Sequence, residues 1–192
     1  MPQANPDALD FLLTRRSRPA KTLTGPVPGD DVLMQILTAA ARTPDHGKLE
    51  PWRFIVLRAA ALDRLAGMIP ERGAALGIEP EKIDKAVNEY ARSDLAVAVV
   101  CAPVESAKVP QIEQVYSAGA ACLALLNAAL ASGWGANWLS GWASHDRAFI
   151  RDGLGLEAHE SVAGIVHLGT ETNAPPERPR PDLARITEWV DV

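Results

Sequence analysis

The sequence predicts an α/β or α+β fold held in one domain, residues 1–192, and three observations carry that prediction. The chain has 192 residues, of which 47% are apolar and 22% charged, which is the size and make-up of one ordinary globular unit. Short apolar runs of strand length alternate with longer segments of helical periodicity. No internal repeat and no linker-like stretch divides them.

The elements follow in order. Asn5 ahead of Pro6 and Asp7 predicts a capped helix with proline in its first turn, ending near Arg15-Arg16-Ser17-Arg18-Pro19. Val32, Leu33, Ile36, Leu37 and Ala40 place one apolar stripe on a second helix, which Pro44 should stop. Residues 52–57 are aromatic and β-branched and read as a strand. Helices are expected over 60–76 and 80–91, with Gly77 as the stop between them. Residues 94–102 are apolar throughout, the pattern of a central strand covered on both faces. The longest helix is expected over 111–131. Its Ala118-Gly119-Ala120-Ala121 stretch leaves a surface that another helix, a partner subunit or a flat ligand could approach closely. A short strand over 135–141, a helix over 144–154 and a buried strand over 161–168 complete the pattern.

Residues 174–192 form a C-terminal arm. Four prolines in 175–181 exclude regular helix there, yet Leu183, Ile186, Trp189 and Val190 return apolar side chains that need a surface to cover. Either the arm lies on a second subunit or it folds back on its own sheet.

Composition also excludes functions. A chain this apolar offsets its ordering entropy, so disorder is not expected. With 19 Lys+Arg against 24 Asp+Glu the net charge is −5, and no basic field for nucleic acid exists. Cys101 and Cys122 sit in apolar runs and read as buried thiols. The N-terminus lacks a basic segment followed by an apolar one, which sets a cytoplasmic location as the expectation. Residues 114–145 carry no charge, but Asn127, Ser132, Gly133, Gly135 and Asn137 interrupt them; a buried helix and strand is expected rather than a membrane span.

No phosphate-binding P-loop, zinc-protease pair or nucleophile elbow is present. Gly153-Leu-Gly155-Leu-Glu-Ala158 follows a helix, so it reads as a helix stop and not as a dinucleotide loop. Asp45-His46 is the one tight acid/imidazole pair, and a hydrolytic site built around it stays open.

Three segments point to a ligand. Arg15-Arg16-Ser17-Arg18 offers rigid guanidinium forks suited to an anion, or else a solvated helix end. Arg42-Thr-Pro-Asp-His46-Gly-Lys48-Leu-Glu-Pro51-Trp52 is a polar loop running into a strand. Gly133-Trp-Gly-Ala-Asn-Trp138-Leu-Ser140-Gly141-Trp142 sets three tryptophans and three glycines where a planar group could lie against backbone and rings.

In this order and spacing the three segments resemble the nitroreductase-like flavoprotein family, particularly its compact branch, over nearly the whole chain. The resemblance implies a three-layer α-β-α domain around a mainly antiparallel sheet. It implies a homodimer with FMN at the subunit interface, reduced by NADH or NADPH. By motif match Arg15, Arg16 and Ser17 would hold the cofactor's phosphate and ring edge, Arg42 and His46 would come from the other subunit, and Trp138, Leu139 and Ser140 would line the cofactor. Ala128, Ala129, Leu130, Ala131, Ser132 and Gly133 match a segment linked with nicotinamide binding. No side-chain nucleophile and no metal is implied.

The implied reaction passes electrons from NAD(P)H to a nitroaromatic, quinone or similar small acceptor in two steps. Arg16, then Lys48, is the candidate cation beside flavin N1. Leu139 stands where a basic residue would be unsurprising, and Glu50 adds a negative charge where an amide would sit more comfortably. The alternative from another class is a dimeric module that binds flavin or another anion without turnover.

Overall fold

Asn5 accepts the Ala8 N–H at 3.1 Å and opens helix α1 (Pro6–Thr14) in the computed structural model, which describes residues 3–192. The chain then runs through a short 3-10 turn to β1 (Leu23–Thr24), α2 (Asp30–Ala40), β2 (Trp52–Arg58), α3 (Ala59–Ala75), α4 (Pro80–Ala91) and β3 (Leu95–Cys101). The longest helix α5 (Gln111–Ala131) follows, then β4 (Gly135–Leu139), α6 (Arg147–Leu154), β5 (Ser161–Glu171) and a one-turn helix α7 (Leu183–Ile186).

Every strand pairing is antiparallel. Because Ile165, Val166 and His167 of β5 pair with both β3 and β4, those two strands flank β5 on opposite sides. β2 extends the sheet beyond β3, and β1 pairs with the end of β5 at Thr170 and Glu171.

β3 is buried along its whole length, as its uninterrupted apolar run predicts. Its alternate side chains feed two cores. Ala96, Ala98 and Val100 pack with Leu62, Leu65 and Ile69 of α3, Tyr90 of α4 and Phe149 of α6. Leu95, Val97 and Val99 pack on the other face with Leu33 and Ile36 of α2 and Ala121, Leu125 and Ala129 of α5. The result is the α-β-α sandwich expected above.

Cys101 and Cys122 are buried and free, and burial pushes the Cys122 thiol up to about 12. Helix α5 is long and apolar enough to cross a bilayer by length and composition, but here one of its faces covers the sheet. Ala118 and Ala121 are fully buried, while Gly119 and Ala120 turn toward solvent with Tyr116 and Leu123.

Four boundaries differ from expectation. The segment 144–154 is not one helix: a 3-10 turn (Trp142–His145) precedes α6, and Asp146 between them caps the Ala148 and Phe149 N–H groups. The same carboxylate takes two hydrogen bonds from Arg72, at 2.6 and 3.0 Å, which fixes the break. Helix α2 ends at Ala40, four residues before Pro44. β4 stops at Leu139, two residues short of the expected 141. β5 runs to Glu171, past the expected 168, because β1 supplies a partner for its end. By contrast Gly155, at φ 69°, ends α6 in the left-handed conformation, as the helix-stop reading requires.

The arm does not bury its apolar residues on its own chain: Leu183, Ile186, Trp189 and Val190 are 67–86% exposed. The self-docked alternative is thus not what the structure shows.

Candidate functional site

The first cluster forms where α1 ends. The Arg18 N–H donates to the Ala136 carbonyl at 2.9 Å, which lays residues 15–21 alongside β4. Arg15, Arg16 and Arg18 then wall a cavity of about 310 Å³ together with Leu130, Gly133 and Trp134. Arg15 donates to Ser17 Oγ and Arg16 to the Pro176 carbonyl, each at 3.0 Å, but the Nε of both arginines is buried without a partner. Arg18 is offset by Glu171 at 3.3 Å. Burial, and then the charges of Arg180 and Arg16, hold the Arg15 guanidinium below its ordinary pKa. Three guanidiniums against one carboxylate, Glu171, give the cavity a net positive lining, which suits an anion.

Arg180 was not singled out from the sequence. The signal was the pair Arg178 and Arg180 within the proline run, two more guanidiniums in a chain whose cations are outnumbered.

The segment 128–133 shares this cavity only through Leu130 and Gly133. Ala129 is buried in the core, and Ser132 turns back to donate to the Ala128 carbonyl at 2.8 Å. Ala131, Ser132 and Gly133 are exposed, and Gly133 ends α5 with φ 83°.

A second cluster lies further along β4. Trp138 sits over Gly164, with its ring 36% exposed. Leu139 and Ser140 wall a cleft of about 280 Å³ whose other side is α4, through Lys82, Lys85, Glu89 and Tyr90. A neighbouring cavity of about 420 Å³ shares Lys85, Glu89 and Leu139 and continues to Lys21, Arg92 and Asn137. Burial raises the Glu89 carboxyl pKa against the opposing pull of Lys85, 3.8 Å away. It also pushes the Tyr90 phenol up to about 12 and the His167 imidazole down to about 4. Lys82, Lys85 and Glu89 went unremarked in the sequence because their spacing is that of any solvated helix face.

The third cluster is the loop between α2 and β2. Asp45 Oδ2 accepts the N–H groups of Leu49 and Glu50, at 2.5 and 3.0 Å, and holds a turn in which Gly47, Lys48 and Glu50 all have positive φ. Asp45 therefore caps backbone and does not pair with His46. His46 Nδ1 lies instead 2.7 Å from Glu113 Oε2 at the start of α5, so the acid/imidazole pair read from the sequence is not formed. Arg42, His46 and Lys48 are exposed, and Glu50 points outward.

The chain therefore unites Arg15, Arg16 and Ser17 with β4 and the end of α5, but not with Arg42 and His46. Glu113, which holds His46, and Leu130, which lines the arginine cavity, stand seventeen residues apart on α5. At 1.5 Å per residue that is about 26 Å.

Comparisons with known proteins give the chain a family and a fold. The profile of the Nitroreductase family matches residues 12–170. The chain is 37% identical over 164 residues, 85% of its own length and 88% of the relative's, to the "putative NAD(P)H nitroreductase YdjA" of Escherichia coli K12. Among solved structures, a nitroreductase-like family protein from Bacillus cereus superposes with a TM-score of 0.80 at 21% identity, covering 100% of this chain and 99% of that one. A "putative nitroreductase in complex with FMN" from Desulfovibrio desulfuricans superposes with a TM-score of 0.74 at 23% identity, covering 99% of each chain.

Proposed function

This chain belongs to the nitroreductase family, and from that premise we propose that it is an FMN-dependent oxidoreductase, passing electrons from NADH or NADPH to a small acceptor. The observation that carries the reading is the convergence of Arg15, Arg16 and Arg18 on one cavity, with a fourth guanidinium, that of Arg180, close enough to lower the Arg15 pKa. Such a donor set suits the phosphate of a flavin mononucleotide, and it supplies the local attraction that a protein of net charge −5 lacks overall.

The chemistry that FMN would supply when bound is hydride acceptance and onward electron transfer. The protein binds and orients. Arg15, Arg16 and Ser17 would hold the phosphate end and Trp138, Leu139 and Ser140 would line the ring, while Leu130 and Gly133, which share the arginine cavity, would meet the phosphate end rather than the nicotinamide. Donor and acceptor use the cleft between β4 and α4 in turn, a two-step mechanism, and nitroaromatics and quinones are acceptors of the right kind. No side-chain nucleophile is needed. Lys85 at the cleft wall is better placed beside Leu139 and Ser140 than is Lys48, which stands on the His46 loop.

The active unit in this reading is a homodimer. His46, held some 26 Å along α5 from Leu130 and the arginine cavity, would reach a flavin bound there only in the partner subunit, and Arg42 stands exposed just before it in the chain. The exposed apolar side chains of α1 (Leu9, Leu12, Leu13), α5 (Ile112, Tyr116) and the arm supply a surface for a second copy to cover.

The test is a visible spectrum of the protein incubated with FMN and desalted, before and after anaerobic NADH or NADPH. Flavin bands that stay with the protein and bleach are expected. Bands that stay without bleaching would make it a binding module, and no retained flavin would overturn the reading.

A further inference from the structure

The cleft between α4 and the end of β4 has a charge that the protein as a whole does not. Four cations line its two chambers, Lys21, Lys82, Lys85 and Arg92, against one carboxylate, Glu89. The local balance is 4 − 1 = +3, on a chain whose net charge is −5. Lys85 is partly offset by Glu89 at 3.8 Å, while Lys21, Lys82 and Arg92 make no ion pair among the described residues. The other acids of α4, Glu81 and Asp84, do not line the cleft.

Between the cations the walls are apolar. Ala86, Leu139, Trp142 and Ile165 line the smaller chamber, whose volume of about 280 Å³ is at the low end of what ligand pockets offer. That combination, a narrow apolar slot with cations at its rim, fits a flat ring that bears one negative group. The apolar walls favour the ring, and the cations concentrate and orient the anion.

We infer that the molecule reduced in this cleft is a small aromatic carboxylate, its ring between Leu139 and Trp142 and its carboxylate beside Lys82 and Lys85, the two cations of that chamber. This deepens the oxidoreductase reading and rests on it for the reduction, but the recognition of the carboxylate is a property of the cleft itself.

The experiment compares 4-nitrobenzoate with the uncharged 4-nitrotoluene, each titrated by calorimetry into the FMN-loaded protein with no nicotinamide present. 4-Nitrobenzoate should bind about tenfold more tightly, the effect of one charge-assisted contact, and the preference should shrink as salt is raised. A Lys82→Glu, Lys85→Glu double variant, with its fold checked by circular dichroism, should bind the two compounds equally. Should that variant not fold, Lys82→Gln and Lys85→Gln taken singly should each reduce the preference. Equal binding to the unaltered protein, or a preference that survives loss of both cations, would overturn the inference. If the protein retains no flavin, the same titration is run without it: carboxylate preference would then keep the anion site while the flavin reading falls, and no preference would remove both. A preference that appears instead for NADPH over NADH, with none between the two nitro compounds, would assign the cations to the nucleotide phosphate and also overturn it.

Discussion

His46 is held by Glu113, 2.7 Å away, at the opposite end of α5 from Leu130 and the arginine cavity. If flavin nonetheless touches both His46 and Arg16, each site must draw one from either subunit. Arg16→Ala and His46→Ala proteins should each bind FMN poorly as pure dimers. Mixed after dissociation and reassociation, they should recover flavin in about a quarter of all sites, since half of the dimers are mixed and each mixed dimer holds one intact site. Flavin bound per protomer, measured after desalting, decides it; no recovery on mixing would place both residues in one protomer's site or outside it.

Arg16 alone should be expensive to lose. Its removal takes a charge-assisted contact from the phosphate, a loss of roughly 1.5–3 kcal/mol in FMN affinity. Arg180→Ala should act in the same direction through the same cavity. Fluorescence titration with FMN reads both, and unchanged affinity in Arg16→Ala would remove the phosphate clamp.

Stability should fall with acid in two overlapping stages. His167 is buried with its pKa lowered from 6.5 to about 4, so below pH 6.5 the unfolded chain takes up a proton that the folded one refuses until about pH 4. Folding stability is therefore lost as pH falls through that window. Glu160, gripped by Arg53 at 2.6 and 2.7 Å, has its pKa lowered from 4.5 to about 2. Its contribution, on the order of 2 kcal/mol once the partly exposed Arg53 is allowed for, is present above pH 4.5 and lost between 4.5 and about 2. Urea unfolding from pH 7 to 3 should show the first loss vanish in His167→Gln and the second in Glu160→Gln.

The arm offers a test of assembly. Leu183, Ile186, Trp189 and Val190 cover nothing on their own chain, so deleting residues 174–192 should leave the fold intact and shift sedimentation toward monomer. An unchanged dimer would mean that α1 and α5 carry the interface without it.

These residues also mark how far the sequence can be read. The β3 run is legible because burial on both faces leaves an unbroken apolar stretch, and the α2 stripe because burial on one face leaves a periodic one. β1 was not, for two residues carry no period and pair only because β5 overhangs its neighbours. The break at Asp146 depends on Arg72, seventy-four residues away, which no local pattern reports. The arginine cluster could be seen as three adjacent guanidiniums, but the wall that α4 gives the cleft could not. Lys82, Lys85 and Glu89 have the spacing of an ordinary polar helix face, and only the fold turns that face toward Leu139.

The placement of Trp138 depends on an absent side chain. A Cβ added at Gly164 would lie 1.9 Å from Trp138 Nε1 and 2.5 Å from its Cδ1, closer than any contact can be. Gly164→Ala must therefore displace the indole, whose ring atoms are the nearest neighbours of the added methyl. The expected cost is about 1–3 kcal/mol of stability, as for other overpacked sites. The ring should also swing outward, shifting tryptophan emission to longer wavelength and weakening FMN without altering the arginine cavity. Pairing Gly164→Ala with Trp138→Leu should restore stability, because the smaller side chain clears the new methyl, yet leave flavin binding weak. Native emission and FMN affinity in Gly164→Ala would show that the indole does not line the cofactor; stability restored together with flavin binding in the double variant would show that any apolar side chain serves there.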